Sequence, residues 1–404
     1  VKSRNTRRGT RYAAIAASFV VVPAFASAQD TLRRSTGEAW QIVPLVQSTL
    51  VYASDGSLIG EVGREMRTSV SIRSLPRYVG QAFIAVEDHR FYQHDGVDVI
   101  GVLGAIKGKL LMEHRGGAST ITQQLVGYMH PDIIDRREVS GAAGISRKLR
   151  EQSAAREMEK HYTKEQILEA YLNQIYLGHG WYGVEAGARH YFGKSASQLT
   201  LAEAATLAGL PKSQPYYDPI RFPQRAKERR DLILSDMAEQ GLITEQVAEQ
   251  TKLQPVVTAP NMGMSAASNY FVDAVRQQAE RAGLKVLNGG YRIYTTLDPV
   301  LQNDAVKALV DGTRRVEQQK GYRHLTEAQA KGMESDYLQG AVIAMDPATG
   351  DVKALVGGRN YTRAPFDRAT SALRQPGSSI KPIVYAKAIE DSIPANAIVP
   401  DTAL

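Results

Sequence analysis

VGQAFIAVEDHRFYQHDG, Val79 to Gly96, is the stretch from which the fold is read. Val79, Phe83 and Val86 recur at helical spacing, so this segment turns one apolar face toward a core. The apolar run stops at Glu87-Asp88, where two adjacent carboxylates meet His89, His94 and the rings of Phe91 and Tyr92. Acids at a helix end are most often simply solvated. A carboxylate that is buried there instead has its pKa raised and can act as a general base near neutral pH.

Outward from this segment the pattern stays mostly helical, from about residue 74 to residue 230. Thr163 to Gln166 and Thr200 to Glu203 are capping boxes that predict helix starts, the second helix being stopped by Pro211. Upstream, Ser48 to Val62 reads as a strand hairpin turning at Asp55-Gly56. Downstream, Pro255 to Ser268 is rich in Pro, Ala, Ser and Met and marks a domain boundary. Beyond it the pattern predicts a helix over Asn269–Ala282, a strand over Gly290–Thr296 and two strands over Gly340–Gly358. With 404 residues, the chain is expected to hold two or three domains.

The formal net charge is +7, and five of the cations, Lys2, Arg4, Arg7, Arg8 and Arg11, fall in the first eleven residues, which contain no acid. The body of the chain is therefore nearly neutral and is not suited to wrapping nucleic acid. Without cysteine there is no disulfide, thiolate metal site or cysteine nucleophile. The basic stretch precedes an apolar run from Tyr12 to Phe25 and then Ala26-Ser27-Ala28. That is the layout of a cleaved secretory signal, or of a retained anchor with its basic end in the cytoplasm. Either reading exports the rest of the chain.

Two further clusters carry possible chemistry. Gly116-Gly117-Ala118-Ser119-Thr120-Ile121-Thr122-Gln123-Gln124 sets glycines and hydroxyls before a helix. It reads as an anion-binding N-terminus or as an ordinary cap. Arg147, Lys148 and Glu151 are three and four residues apart and share one helical face. They form either a surface ion-pair ladder or a cationic site that holds phosphate.

In this order and spacing the clusters resemble the family 51 glycosyltransferase domain of class A penicillin-binding proteins. The matched blocks are E-D-x-x-F-x-x-H-x-G at 87–96, S-T-I-T-Q-Q at 119–124, R-K-x-x-E at 147–151, KEQILEAYLNQIYLG at 164–178, and Leu199–Pro211 with Tyr217-Asp218-Pro219. The resemblance implies an α+β multidomain protein. An export segment over 1–28 and a connecting segment with a hairpin over 29–69 lead into a mostly helical, lysozyme-like domain over 70–255. A small α+β connector covers 262–338, and 339–404 open a serine β-lactamase-like transpeptidase domain. It further implies polymerisation of lipid II into glycan strands with inversion and release of undecaprenyl diphosphate. Glu87 is implied as general base and Glu151 as a catalytic partner, with Arg147 and Lys148 beside the diphosphate. Asp88, Phe91, His94, Ser119, Thr120 and Gln124 are implied as substrate-binding residues of the cleft.

One departure stands out: where that family continues Q-Q-x-x-K-N, this chain has Gly127 and Tyr128. A cation expected near the phosphates is missing, and Lys107, Lys109 and Arg115 are candidates to supply it. No H-E-x-x-H spacing is present; no cofactor is required, and a divalent cation, Mg or Mn, is the one the resemblance allows. The implied partners are lipid II, the growing strand, the membrane surface and other cell-wall synthesis proteins. The apolar stretch Gly101–Met112, with scattered lysines, is either a helix dipping into the bilayer or an ordinary core helix.

RQPGSSIKP, 374–382, contains S-x-x-K. Following the strands of 340–358, it resembles the acylation motif of penicillin-binding proteins, with Ser378 as nucleophile and Lys381 as activator. No S-x-N and K-T-G pair follows before Leu404, so neither crosslinking nor β-lactam binding is expected of these residues alone. Two other functions fit the first cluster less well: a glycan-cleaving, lysozyme-like hydrolase, which also uses a cleft glutamate, and a non-catalytic cell-wall scaffold.

Overall fold

The computed structural model describes residues 20–22, 38–101, 119–138, 140–259, 266–330 and 337–398. Most of the 1–28 segment, Lys107, Lys109, Arg115 and nearly all of the 101–112 stretch lie outside the described residues. The chain divides into two compact units, 1–308 with 343–356, and 309–342 with 357–404.

Helices build the body of the first unit. Arg77–Glu87 packs on Leu201–Gly209 and Pro223–Glu239, and Ile121–Met129 packs on Gly141–His161 and Lys164–Gln174. Phe83, Phe91, Leu125, Met158, Tyr171 and Leu207 are among the side chains that lose essentially all solvent contact in the shared core. Burying each large apolar side chain stabilises the fold by about 1.5–3 kcal/mol. Both capping boxes are present: Thr163 with Gln166 opens Lys164–Gln174, and Thr200 with Glu203 opens Leu201–Gly209.

The hairpin expected over 48–62 is there, as strands Thr49–Tyr52 and Leu58–Val62. The Asp55 carboxylate accepts from the Ser57 N–H at 2.8 Å, and Gly56 takes the left-handed φ of 81° that the turn needs. This hairpin joins a four-stranded sheet. Thr49–Tyr52 runs parallel to Arg292–Tyr294, which in turn pairs antiparallel with Val20–Val22. Val20–Val22 belong to the apolar run read as an export segment, and here they are a strand. Among the described residues no helix is long and apolar enough to cross a membrane.

In the second unit Arg359 is buried, paired with Glu317 and with Glu327 at 2.9 Å, and donates to the Leu338 carbonyl at 3.2 Å. Its last helix, Lys381–Glu390, has no buried residue.

Candidate active site

Glu87 is the last residue of its helix and is half-buried. Its Oε2 accepts a hydrogen bond from Gln124 Nε2 at 2.8 Å, and Gln124 Oε1 accepts from the fully buried Tyr171 hydroxyl at 3.3 Å. Because the phenol donates to one end of the Gln124 amide, the other end points its N–H at Glu87. Burial pushes the Glu87 carboxyl above the ordinary range. The Gln124 hydrogen bond and the charge of Arg229 pull it back, Asp88 raises it, and Arg136 lowers it.

The helix Ile121–Met129 connects this carboxylate to the second cluster. Beside Gln124, Gln123 accepts at Oε1 from Lys148 Nζ at 3.1 Å, and Lys148 also donates to Ser119 Oγ at 2.9 Å. Glu151, only 5% exposed, takes Lys148 on one oxygen at 2.5 Å and Arg147 on the other at 2.7 Å. Arg147 is fixed further by donating to the Glu138 carbonyl at 2.8 Å. With both oxygens engaged, Glu151 is a counter-ion that orients two half-exposed cations.

Four of the expected substrate-binding residues are largely enclosed by protein. Asp88 is buried, with both oxygens 3.0 Å from His94 Nε2, and Oδ2 also accepts the Ile121 N–H at 3.0 Å. Thr120 accepts the Gln123 N–H and donates to the Gly96 carbonyl at 2.7 Å. The first turn of this helix is thus capped by Asp88 at the Ile121 N–H and by Thr120 at the Gln123 N–H. Phe91 is fully buried, its ring under the Lys164 ammonium, and the His94 side chain is 6% exposed. Asp88, Phe91, His94 and Thr120 form the wall behind the site. Of the expected contacts, Ser119 and Gln124 keep partial exposure.

Two arginines near Glu87 carry no local sequence signal. Arg229 comes from the helix Pro223–Glu239 and crosses Gly209, where a Cβ would stand 2.8 Å from its Cγ. Its Nε is buried without a hydrogen-bond partner. Arg136 lies in the loop after Ile121–Met129. A groove of about 780 Å3 runs beside the Arg77–Glu87 helix, lined by Arg73, Arg77, Ile84, His89, Tyr92 and Leu168 among others, but neither Glu87 nor Glu151 lines it. Among the described residues, no three His, Asp or Glu side chains converge to hold a metal ion.

Ser378 lies in the short helical turn Gly377–Ile380, and Lys381 begins the following helix, one turn later. Both are exposed, and it is Ser379 whose hydroxyl donates to the Pro376 carbonyl.

The helical body that carries Glu87 and the Arg147, Lys148 and Glu151 cluster is a transglycosylase-type domain: residues 55–238 match the model of the transglycosylase family. Residues 340–402 match the penicillin-binding protein transpeptidase domain. Carrying the two in this order, the chain belongs to the class A penicillin-binding proteins. It is 37% identical over 358 residues to penicillin-binding protein 2D of Bacillus subtilis (strain 168), covering 86% of this chain and 48% of that one. It is 32% identical over 441 residues to penicillin-binding protein 1A of Escherichia coli (strain K12), covering 85% and 51%. The crystal structure of penicillin-binding protein 1A from Haemophilus influenzae aligns at 25% identity and a TM-score of 0.44, over 86% of this chain and 53% of that one. The chain thus spans about half the length of the curated relatives it matches.

Proposed function

We propose that the first unit is a peptidoglycan glycosyltransferase that polymerises lipid II. Glu87 takes the proton of the acceptor sugar hydroxyl. The oxygen freed of it attacks the anomeric carbon of the growing strand from the side opposite the diphosphate. The bond to the diphosphate breaks, that group leaves with the electron pair, and the anomeric centre is inverted. Arg147 and Lys148, oriented by Glu151, balance the charge that develops on the leaving undecaprenyl diphosphate. Because this anion is stabilised by cations, a strong general acid is not needed. The described residues do not fit a resident metal, so a divalent cation would arrive with the diphosphate.

The observation that carries this reading is the single helix Ile121–Met129, which holds Glu87 through Gln124 and the Lys148–Glu151 pair through Gln123. A base without nearby cations would fit a hydrolase better. Ser378 and Lys381 are proposed as the acylated serine and its activator in the transpeptidase portion. The site of action is the extracytoplasmic face of the inner membrane, where lipid II and the growing strand are found.

Purified lipid II is the test. Glu87→Gln should lower the rate of glycan synthesis by roughly 10²–10⁴, the usual contribution of a positioned base. Undiminished synthesis by that variant refutes the assignment. Turnover of preformed sacculi with none of lipid II would favour the hydrolase, and turnover of neither would favour the scaffold.

A further inference from the structure

Successive residues at the start of the helix Ile121–Met129 are each held by an acidic or basic side chain from another segment. Asp88 holds the Ile121 N–H, Lys148 holds Gln123, and Glu87 holds Gln124. Between them, the fully buried Thr122 donates its hydroxyl to Glu159 Oε1 at 2.5 Å. Glu159 lies on the helix Gly141–His161, outside every block singled out in the sequence, and its side chain is 5% exposed. Its other oxygen takes the Lys164 ammonium at 2.6 Å. Lys164 donates to the His94 carbonyl at 2.5 Å and covers the Phe91 ring, so it grips the loop that follows Glu87. His94 turns its Nδ1 toward the same carboxylate, 4.0 Å from Oε1. Lys148 and Glu159 are eleven residues apart, about three helical turns, and so face the same side of their helix.

We propose that Glu159 is a positioning residue: it fixes the first turn of Ile121–Met129 against the loop 88–96, and with it the spacing between Glu87 and the cations Arg147 and Lys148. The assignment rests on the polymerase reading above. Gln123 and Gln124 carry the two halves of the site on one turn of helix, and Thr122 is the point at which that turn is tied to the loop. A base and leaving-group cations act together only when both meet the reacting atoms, and a misplacement of about 1 Å can cost roughly a hundredfold in rate. Both oxygens of Glu159 are in use, one for Thr122 and one for Lys164. An amide in its place has one accepting oxygen and turns its N–H groups toward the other donor. Enclosed as it is, Glu159 acts through Thr122 and Lys164 and not on the substrate.

The test is steady-state turnover of lipid II by the full 404-residue chain in detergent, at a temperature where circular dichroism shows each variant folded. Glu159→Gln and Thr122→Val should each lower kcat about tenfold and leave KM within about twofold of the parent, since neither side chain meets the substrate. Thr122→Ser keeps the hydroxyl and should keep the parental kcat. Glu159→Gln combined with Thr122→Val should lower kcat no further than the worse single variant, because both break the same connection. A residue that only stabilises the fold would lower the melting temperature and leave the kcat of the folded protein unchanged. Should Glu159→Gln not fold, the two Thr122 variants carry the same decision. Parental kcat in a folded Glu159→Gln or Thr122→Val, or losses that multiply in the double variant, overturns the assignment, while parental turnover of lipid II leaves the polymerase reading standing. A parent that turns over no lipid II overturns both.

Discussion

Glu87 has to be ionised to accept a proton and yet basic enough to want one. Its surroundings pull in both directions: burial raises its pKa, while the Gln124 hydrogen bond and the charges of Arg229 and Arg136 limit the rise. The acid limb of kcat/KM for lipid II should therefore lie above the ordinary carboxylate range. Arg229→Gln removes a lowering influence, so the limb should move to still higher pH. The activity lost should be severalfold on the acid limb and should shrink on the alkaline side. A limb that does not move in that variant would count against any coupling between Arg229 and Glu87. The same upward shift has a consequence for stability. A carboxyl whose pKa is higher in the folded state contributes stability below its unfolded pKa and loses it as pH rises through the folded value. Glu87→Gln should therefore raise the urea midpoint relative to the parent near pH 8 and not near pH 3, conditions about either side of the titration. Glu87, Arg147, Lys148 and Glu151 were legible in the sequence because each sits in a dense local pattern. Arg229 and Arg136 were not, since they reach the site through packing between segments far apart in sequence. The burial of Asp88, Phe91, Thr120 and the His94 side chain was not legible, because type and spacing do not reveal how far packing encloses a residue.

At the scale of elements, the site depends on how the start of the helix Ile121–Met129 is held. Asp88 caps it from one side, Thr120 from within, and the Thr120 hydroxyl reaches the Gly96 carbonyl. Gly96 has a φ of 83°, and a Cβ there would come within 2.5 Å of the Ala155 carbonyl oxygen, so the loop after His94 lies directly on the helix Gly141–His161. Backbone cannot move aside as a side chain tip can. Gly96→Ala should cost about 2–3 kcal/mol, from left-handed strain and the close contact together. Asp88→Ala should cost a similar amount, about 2–3 kcal/mol, because it leaves the Ile121 N–H and His94 Nε2 unmatched in the interior. Urea titration measures both, and a loss below about 0.5 kcal/mol in either would show that the contact is dispensable. Helix starts were the most legible elements: Thr163 with Gln166 and Thr200 with Glu203 announce themselves within four residues. The cap on Ile121–Met129 announces only half of itself, since Thr120 is adjacent but Asp88 arrives from 33 residues away.

At the scale of the molecule, strands separated by some 240 residues share one sheet, and no periodicity in the sequence could have paired them. Leu50 N–H donates to the Tyr291 carbonyl at 2.8 Å, and the buried Thr49 hydroxyl donates to the Val286 carbonyl at 2.6 Å. The hairpin and the later strand were each readable from alternation and turn residues. Their parallel union was not, because it is decided by which apolar faces remain uncovered once the helices have packed. Ile293, 1% exposed and opposite Val51, is the side chain on which the union rests. Truncating it leaves a cavity that neighbouring strands cannot close, so Ile293→Ala should weaken the sheet by about 2–4 kcal/mol. Local stability differs between cooperative units of one fold. If the sheet opens as its own unit, amide exchange at Leu50 should accelerate strongly in Ile293→Ala while the amides of Ile121–Met129, in the helical core, keep the parental rate. Equal acceleration at both places would mean that sheet and helices unfold together. In that case the strand pairing would be part of what keeps Glu87 and Lys148 in register, and Ile293→Ala should lose glycan synthesis in proportion to its lost stability.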